Sequence, residues 1–150
     1  MAMIRAVAPA DANAWLRMRC ALWPEGSIDD HGHDIDRYFA GHRHEPREVL
    51  IAVDERGTPA GFVELSIRNI VDGCDSDRVG YLEGWYVEPA RRRRGVGGEL
   101  VRAAEHWARA QGCTEFGSDA LIDNEVSIAA HRALGFEETG RVCTFRKTIG

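Results

Sequence analysis

Apolar positions along the chain change their period several times, and each change marks an element. Between residues 81 and 87, Tyr81, Leu82, Trp85, Tyr86 and Val87 supply the aromatic and β-branched side chains of a strand. Pro89 ends that ladder because it has no N–H to donate. From Val96 the apolar period becomes about 3.6 residues. Leu100, Ala104, Trp107 and Ala108 recur on one face through Gln111, and Gly112 is placed to cap the C-terminus. The segment therefore predicts strand, turn and long helix.

The flanking sequence predicts further elements by the same logic. Ile4 to Val7 read as a first strand, and Pro9 and Asp11 start a helix that runs through Leu22. Trp23-Pro24-Glu25-Gly26 breaks it, and Asp29 is the expected cap of a second helix reaching Ala40. Val49 to Val53 and Ala60 to Arg68 are strands joined by the turn Asp54-Glu55-Arg56-Gly57. A polar loop, Asn69 to Arg78, carries Asp72, Asp75 and Asp77 into the central strand. Beyond the long helix, Glu115 to Ala120 predict a strand and Glu125 to Leu134 a helix stopped by Gly135. Two terminal strands are expected at residues 136–138 and 142–148. The order β-α-α-β-β-β-α-β-α-β-β is an α/β (α+β) arrangement: a mixed sheet with helices on both faces.

Bulk properties narrow the function. The chain has 150 residues, enough for one domain with a real core, here expected to span 1–150. No apolar run is long enough to span a bilayer, and Met1-Ala-Met-Ile-Arg5 does not read as a signal peptide. Cys20, Cys74, Cys113 and Cys143 are scattered and form no C-x-x-C pair, so a reduced, cytoplasmic protein is expected. The net charge of −5 disfavours nucleic acid as a partner and suits a cationic small molecule. His31, His33, His42 and His44 complete no zinc pattern and are read as solvated, so no metal is expected.

The chemistry concentrates in the turn between central strand and long helix. The first N–H groups of a helix lack intrahelical partners and sit at the positive end of its dipole. Arg92, Arg93 and Arg94 add charge, and Gly95, Gly97 and Gly98 let an anion approach the backbone. No Lys-Ser/Thr follows, so this is not a P-loop. The run Arg92-Arg93-Arg94-Gly95-Val96-Gly97 resembles the pyrophosphate-binding signature of the GNAT superfamily of N-acetyltransferases. Asn124, the helix after it and Ala133-Leu134-Gly135-Phe136 resemble that superfamily's second signature, and the predicted element order agrees along almost the whole chain.

A narrower resemblance is carried by Leu22-Trp23-Pro24, Ser66-Ile67-Arg68, Gly73-Cys74-Asp75-Ser76, Leu82-Glu83-Gly84, Ser118-Asp119 and Leu134-Gly135-Phe136-Glu137-Glu138-Thr139. These segments are similar to the dimeric bacterial aminoglycoside 6'-N-acetyltransferases, which acetylate antibiotics such as kanamycin and tobramycin. The resemblance implies a homodimer joined through its C-terminal strands. It implies acetyl-CoA held by the backbone of Trp85, Tyr86 and Val87 and of residues from Arg92 through Arg93, Arg94, Gly95, Val96 and Gly97 to Gly98, with Asn124 alongside. It implies an antibiotic pocket lined by Trp23, Glu83 and Asp119.

Those residue types suit the chemistry. A substrate with several ammonium groups calls for carboxylates; Glu83 lies on the central strand just before the turn and Asp119 ends the neighbouring strand, so both are expected to face the cleft where those strands part, where an open sheet places its ligands. The reaction needs a neutral amine, a donor for the developing oxyanion and a proton for the departing thiolate. Glu83 or Asp119 working through water is expected to relieve the ammonium of its proton, and an N–H near Val87 to serve the oxyanion. Many GNAT enzymes place a Tyr seven residues after the Asn as general acid; here His131 stands there. The chain also departs from its nearer relatives at residues 69–71, at Gly26 and at Gly140. A different amine substrate, or a coenzyme-binding module without activity, are the alternatives to antibiotic acetylation.

Overall fold

A computed structural model describes residues 2–150. The described residues form one mixed sheet in the spatial order β1-β2-β3-β4-β5. The strands are β1 (Met3–Ala6), β2 (Glu48–Val53), β3 (Pro59–Arg68), β4 (Val79–Val87) and β5 (Glu115–Ser118). The helices are α1 (Ala12–Leu22), α2 (Ile28–Phe39), α3 (Val96–Ala110) and α4 (Glu125–Ala133). Neighbours from β1 to β4 are antiparallel, and β4 and β5 are parallel. A parallel pair needs a crossover, and α3 supplies it.

Alternation along β2 and β3 divides the core between the two faces of the sheet. Val49, Ile51, Val53 and Phe62 point to one face, where Trp15 and Met18 of α1 and Ile35 and Tyr38 of α2 cover them. Trp15 meets the rings of Tyr38 and Phe39 edge-on at 5.3 and 5.7 Å. Ala52, Val63, Leu65 and Leu82 point to the other face, against Val96, Leu100, Val101 and Ala104 of α3. Each large apolar side chain buried this way contributes roughly 1.5–3 kcal/mol, so both helical layers are held firmly.

Two irregularities in β4 make the functional cleft. Glu64 of β3 lies opposite Gly84, yet Leu65 lies opposite Leu82. Glu83 is therefore an extra residue, a bulge that bends the strand. On the other side the ladder to β5 stops at Leu82 opposite Ser118, so β4 leaves β5 at that point. The N–H of Glu88 donates to Ala60 of β3 while the carbonyl of Val87 faces away and accepts from Arg92 Nε. By strand alternation the N–H groups of Val87 and Trp85 also face the side that β5 has vacated.

Three expectations are corrected. The cap of α2 is Ser27, not Asp29: Ser27 Oγ accepts from the N–H of Asp30 at 3.0 Å, and the helix begins at Ile28. Ser caps as well as Asp and stands where the chain leaves the preceding turn. His31 is not solvated but buried, its Nε2 3.0 Å from the carbonyl of Trp23. The terminal strands at 136–138 and 142–148 do not form: residues 137–150 are exposed and unpaired in any ladder among the described residues. Alternating composition makes no strand without a neighbour for its N–H and C=O groups. Phe136 instead packs on Phe116 at 6.0 Å, and Thr139 Oγ1 donates to the carbonyl of Asp72 at 3.3 Å.

Candidate active site

The basic turn closes onto the start of α3 through two residues with left-handed backbone. Arg93 has φ of 64° and Gly95, the N-cap of α3, has φ of 82°. Glycine takes that conformation without strain, which is why it stands at the cap. Arg91 is tied to Asp54 at 2.6 Å and Arg92 to the Val87 carbonyl at 2.9 Å. Arg93 and Arg94 are exposed, free of partners among the described residues, and stand beside the first amides of α3. Gly97 lies against the Trp85 indole: a Cβ there would come within 3.3 Å of the ring. Trp85 Nε1 is buried and has no hydrogen-bond partner among the described residues. Asn124 caps α4 through its side-chain oxygen, 3.1 Å from the N–H of Ser127.

On the α1/α2 side of the cleft, the predicted substrate residues come together around an arginine. Arg68 donates to both oxygens of Glu83, from Nε at 3.0 Å and Nη2 at 2.6 Å. Its guanidinium carbon lies 3.6 Å from the centre of the Tyr81 ring. Tyr81 in turn donates its hydroxyl to Asp119 at 2.7 Å. Burial first, and the Asp119 carboxylate second, push the Tyr81 hydroxyl well above its ordinary range, so it remains a donor. Glu83 is thus clamped rather than free, and Asp119 is exposed with one oxygen engaged. Trp23 joins them from the end of α1; a Cβ at Gly84 would come within 2.6 Å of its ring.

Below Trp23 lies a buried charged cluster. Glu64 accepts from Trp15 Nε1 at 2.9 Å, and Arg19 Nε lies 3.0 Å from the same carboxylate oxygen. Arg19 also reaches Asp34 at 3.2 Å and sits 5.0 Å from the centre of the Trp23 ring. Burial pushes the Glu64 carboxyl up to about 7, although the Arg19 charge pulls the other way. His131 forms a third group, on the α4 side. Its Nε2 is 2.7 Å from Ser118 Oγ, and its Nδ1 is 2.7 Å from the Ser127 carbonyl.

Sequence reading missed Arg68, Tyr81, Ser118 and the Arg19–Glu64 pair as parts of the site. The signal for Arg68 was its position two residues beyond Ser66 and four beyond Glu64, on the same face of β3. Nothing in the sequence ties Ser118 to His131, because their contact depends on how α4 returns to the sheet. Among the described residues no group of three His, Cys, Asp or Glu side chains is placed to hold a metal.

A splayed parallel pair, a β-bulge beside it and a glycine-arginine turn at a helix N-terminus define an acetyltransferase architecture, and residues 13–136 match the acetyltransferase (GNAT) family. The chain belongs to that family. It is 49% identical over 147 residues to the aminoglycoside N(6')-acetyltransferase type 1 of Klebsiella aerogenes, covering 98% of this chain and 97% of that one. Its fold is similar to AAC(6')-Iy in complex with the bisubstrate analogue CoA-S-monomethyl-acetylneamine, with TM-score 0.90, 37% identity and 99% of each chain covered. It is also similar to the aminoglycoside 6'-N-acetyltransferase AAC(6')-IG of Acinetobacter haemolyticus, with TM-score 0.89, 40% identity and 99% of each chain covered.

Proposed function

We propose that the chain transfers the acetyl group of acetyl-CoA to the 6'-amine of aminoglycoside antibiotics, working as one catalytic unit across residues 1–150. The observation that carries the substrate class is the pair Glu83 and Asp119, linked through Arg68 and Tyr81 beside the opening between β4 and β5. Two carboxylates with a Trp23 wall fit a polycationic, hydroxyl-rich molecule better than an apolar one. The net charge of −5 draws such a cation in and argues against nucleic acid. Among the described residues no helix is long and apolar enough to cross a membrane. The four cysteines are free thiols, in keeping with a cytoplasmic site of action.

The residues present fit acetyl-CoA. Gly97 lets the start of α3 pack closely on Trp85 and Val87, Trp85 Nε1 is a buried donor with no partner among the described residues, and Arg93 and Arg94 carry free charge for a diphosphate. Amides of Trp85 and Val87 and of Arg92 to Gly98 form the holding surface, with Tyr86 between the first two turned toward β3 and Asn124 across the cleft. When bound, acetyl-CoA supplies an activated thioester carbonyl. The Val87 N–H, on the vacated edge of β4, is the donor for charge developing on the acyl oxygen. Asp119 and Glu83 bind the substrate's ammonium groups and remove a proton through water, the carboxylates holding and orienting that water. Alignment of both substrates supplies much of the acceleration. His131 provides the proton for the departing sulfur.

The same reading includes a homodimer. Val142, Phe145 and Ile149 are more than three-quarters exposed along the unpaired C-terminal segment, and β5 is an edge strand of the sheet. A second copy would give both their partner.

A thiol-release assay tests the function with kanamycin, tobramycin, spermidine and an N-terminal peptide panel. The expected result is release of coenzyme A dependent on the aminoglycosides and much slower with the others. Preference for spermidine or peptide would replace the substrate class. Binding of acetyl-CoA without release by any amine would replace catalysis with a binding role.

A further inference from the structure

We propose that Ser118 and His131 form a proton relay at the apex of the β4/β5 cleft, with Ser118 Oγ the atom that exchanges protons with the reacting groups. The proposal rests on the acetyl-transfer reading above and adds a catalytic residue to it. His131 Nδ1 is 2.7 Å from the carbonyl oxygen of Ser127. A carbonyl can only accept, so Nδ1 carries the proton of the neutral ring. Nε2 is then an acceptor, and Ser118 Oγ, 2.7 Å away, donates to it. The other contact of that hydroxyl, to the Leu82 carbonyl at 3.4 Å, is too long to compete.

Packing keeps the imidazole in this role. Trp85 meets it edge-on at 5.2 Å and Phe136 at 5.1 Å. Swinging the ring toward the cleft would break both polar contacts and leave those aromatic faces. Nε2 therefore communicates with the cleft through the Ser118 hydroxyl. Ser118 is the last residue of β5 paired with β4, so its hydroxyl stands where the two strands part. The donors of Trp85 and Val87 lie further along the opposite wall.

This arrangement moves one proton twice. As the amine nitrogen bonds to the acyl carbon, its N–H bond breaks and the proton passes to Ser118 Oγ. The hydroxyl's own proton passes to Nε2, and the Ser127 carbonyl stabilises the resulting imidazolium. As the C–S bond breaks and sulfur leaves with the electron pair, Nε2 returns its proton to Oγ and Oγ delivers one to sulfur. One proton has left nitrogen, one has reached sulfur, and both residues end as they began.

Kinetics and imidazole spectroscopy test the relay together. Ser118→Ala is expected to lower kcat by about 100-fold, the scale of a lost proton-transfer group. KM for both substrates should stay within about twofold, because the hydroxyl acts in the reaction and not in binding. Ser118→Thr, which keeps the hydroxyl, should recover most of the rate. The double variant Ser118→Ala, His131→Ala should be no slower than the slower single variant. Nitrogen NMR of the ligand-free enzyme should show Nδ1 protonated and Nε2 bare in the neutral ring, with Ser118→Ala moving the Nε2 resonance. Wild-type kcat in Ser118→Ala, additive losses in the double variant, or a neutral ring protonated at Nε2 would each overturn the relay. If the wild type acetylates a different amine only, the substrate reading fails, and the same kinetic comparison run with that amine still decides the relay.

Discussion

At the residue scale, the two carboxylates proposed to meet substrate, half-buried Glu83 and exposed Asp119, contrast with a buried one, Glu64. Glu64 carries the raised value, about 7 against an ordinary 4.5, because burial penalises its charged form more than Arg19 favours it. A carboxyl raised in the folded state binds its proton more tightly than in the unfolded chain. Its stabilisation is complete below about pH 4.5 and is lost as pH rises to about 7. A shift of that size corresponds to roughly 3–4 kcal/mol as an upper bound. The melting temperature is thus expected to fall across that window in the wild type and to flatten in Glu64→Gln; an unchanged slope in the variant would assign the titration elsewhere. Asp54 works in the opposite sense, held down to about 2 first by Arg91, so its contribution disappears only in stronger acid. Substrate contacts have their own signature. Glu83→Ala or Asp119→Ala is expected to raise KM for the aminoglycoside by about 10- to 100-fold, the worth of a charge-assisted hydrogen bond, with KM for acetyl-CoA little changed. Equal increases for both substrates would remove these carboxylates from the amine pocket. Glu83, Asp119 and Trp23 could be singled out because each lies in a short contiguous motif; the structure puts Trp23 at the end of α1, Glu83 within β4 and Asp119 just past β5. The Arg68 clamp on Glu83 was not, because pairing across β3 and β4 depends on a bulge that shifts the register by one residue.

At the element scale, the turn from β4 into α3 is the proposed seat of the diphosphate. Strand, turn and helix were legible together because the hydrophobic period changes from two to about 3.6 across a glycine-arginine run. Gly95→Asp places a carboxylate at the N-cap where a diphosphate is to sit, in a backbone conformation with φ of 82°. KM for acetyl-CoA is expected to rise at least about tenfold, the effect of one unfavourable charge contact of about 1.4 kcal/mol, while KM for the amine stays put. Unchanged acetyl-CoA binding by calorimetry would move the coenzyme away from this turn. The cleft itself was less legible. Composition predicts β4 and β5 as strands but says nothing of the ladder stopping at Leu82 and Ser118. The terminal segment failed for a related reason: Val142 to Thr148 has the composition of a strand, and pairing, not composition, makes one.

At the scale of the whole molecule, helices on both sheet faces were readable from the order of elements, since each amphipathic helix must find a sheet face to cover. Assembly was not, because nothing within one chain shows what meets Phe145, which is 93% exposed. Sedimentation should give a mass twice the 16.7 kDa of the chain, and Phe145→Lys should shift it toward the monomer; a wild-type monomer would end the dimer proposal. The central claim, that an acidic cleft beside an acetyl-CoA turn acetylates one amine of an aminoglycoside, is tested most directly by the position of the product's acetyl group. Kanamycin incubated with the enzyme and acetyl-CoA should gain a single acetyl, assigned by NMR to the 6'-nitrogen. Kanamycin recovered unmodified, or acetylated at a different nitrogen, would contradict the account.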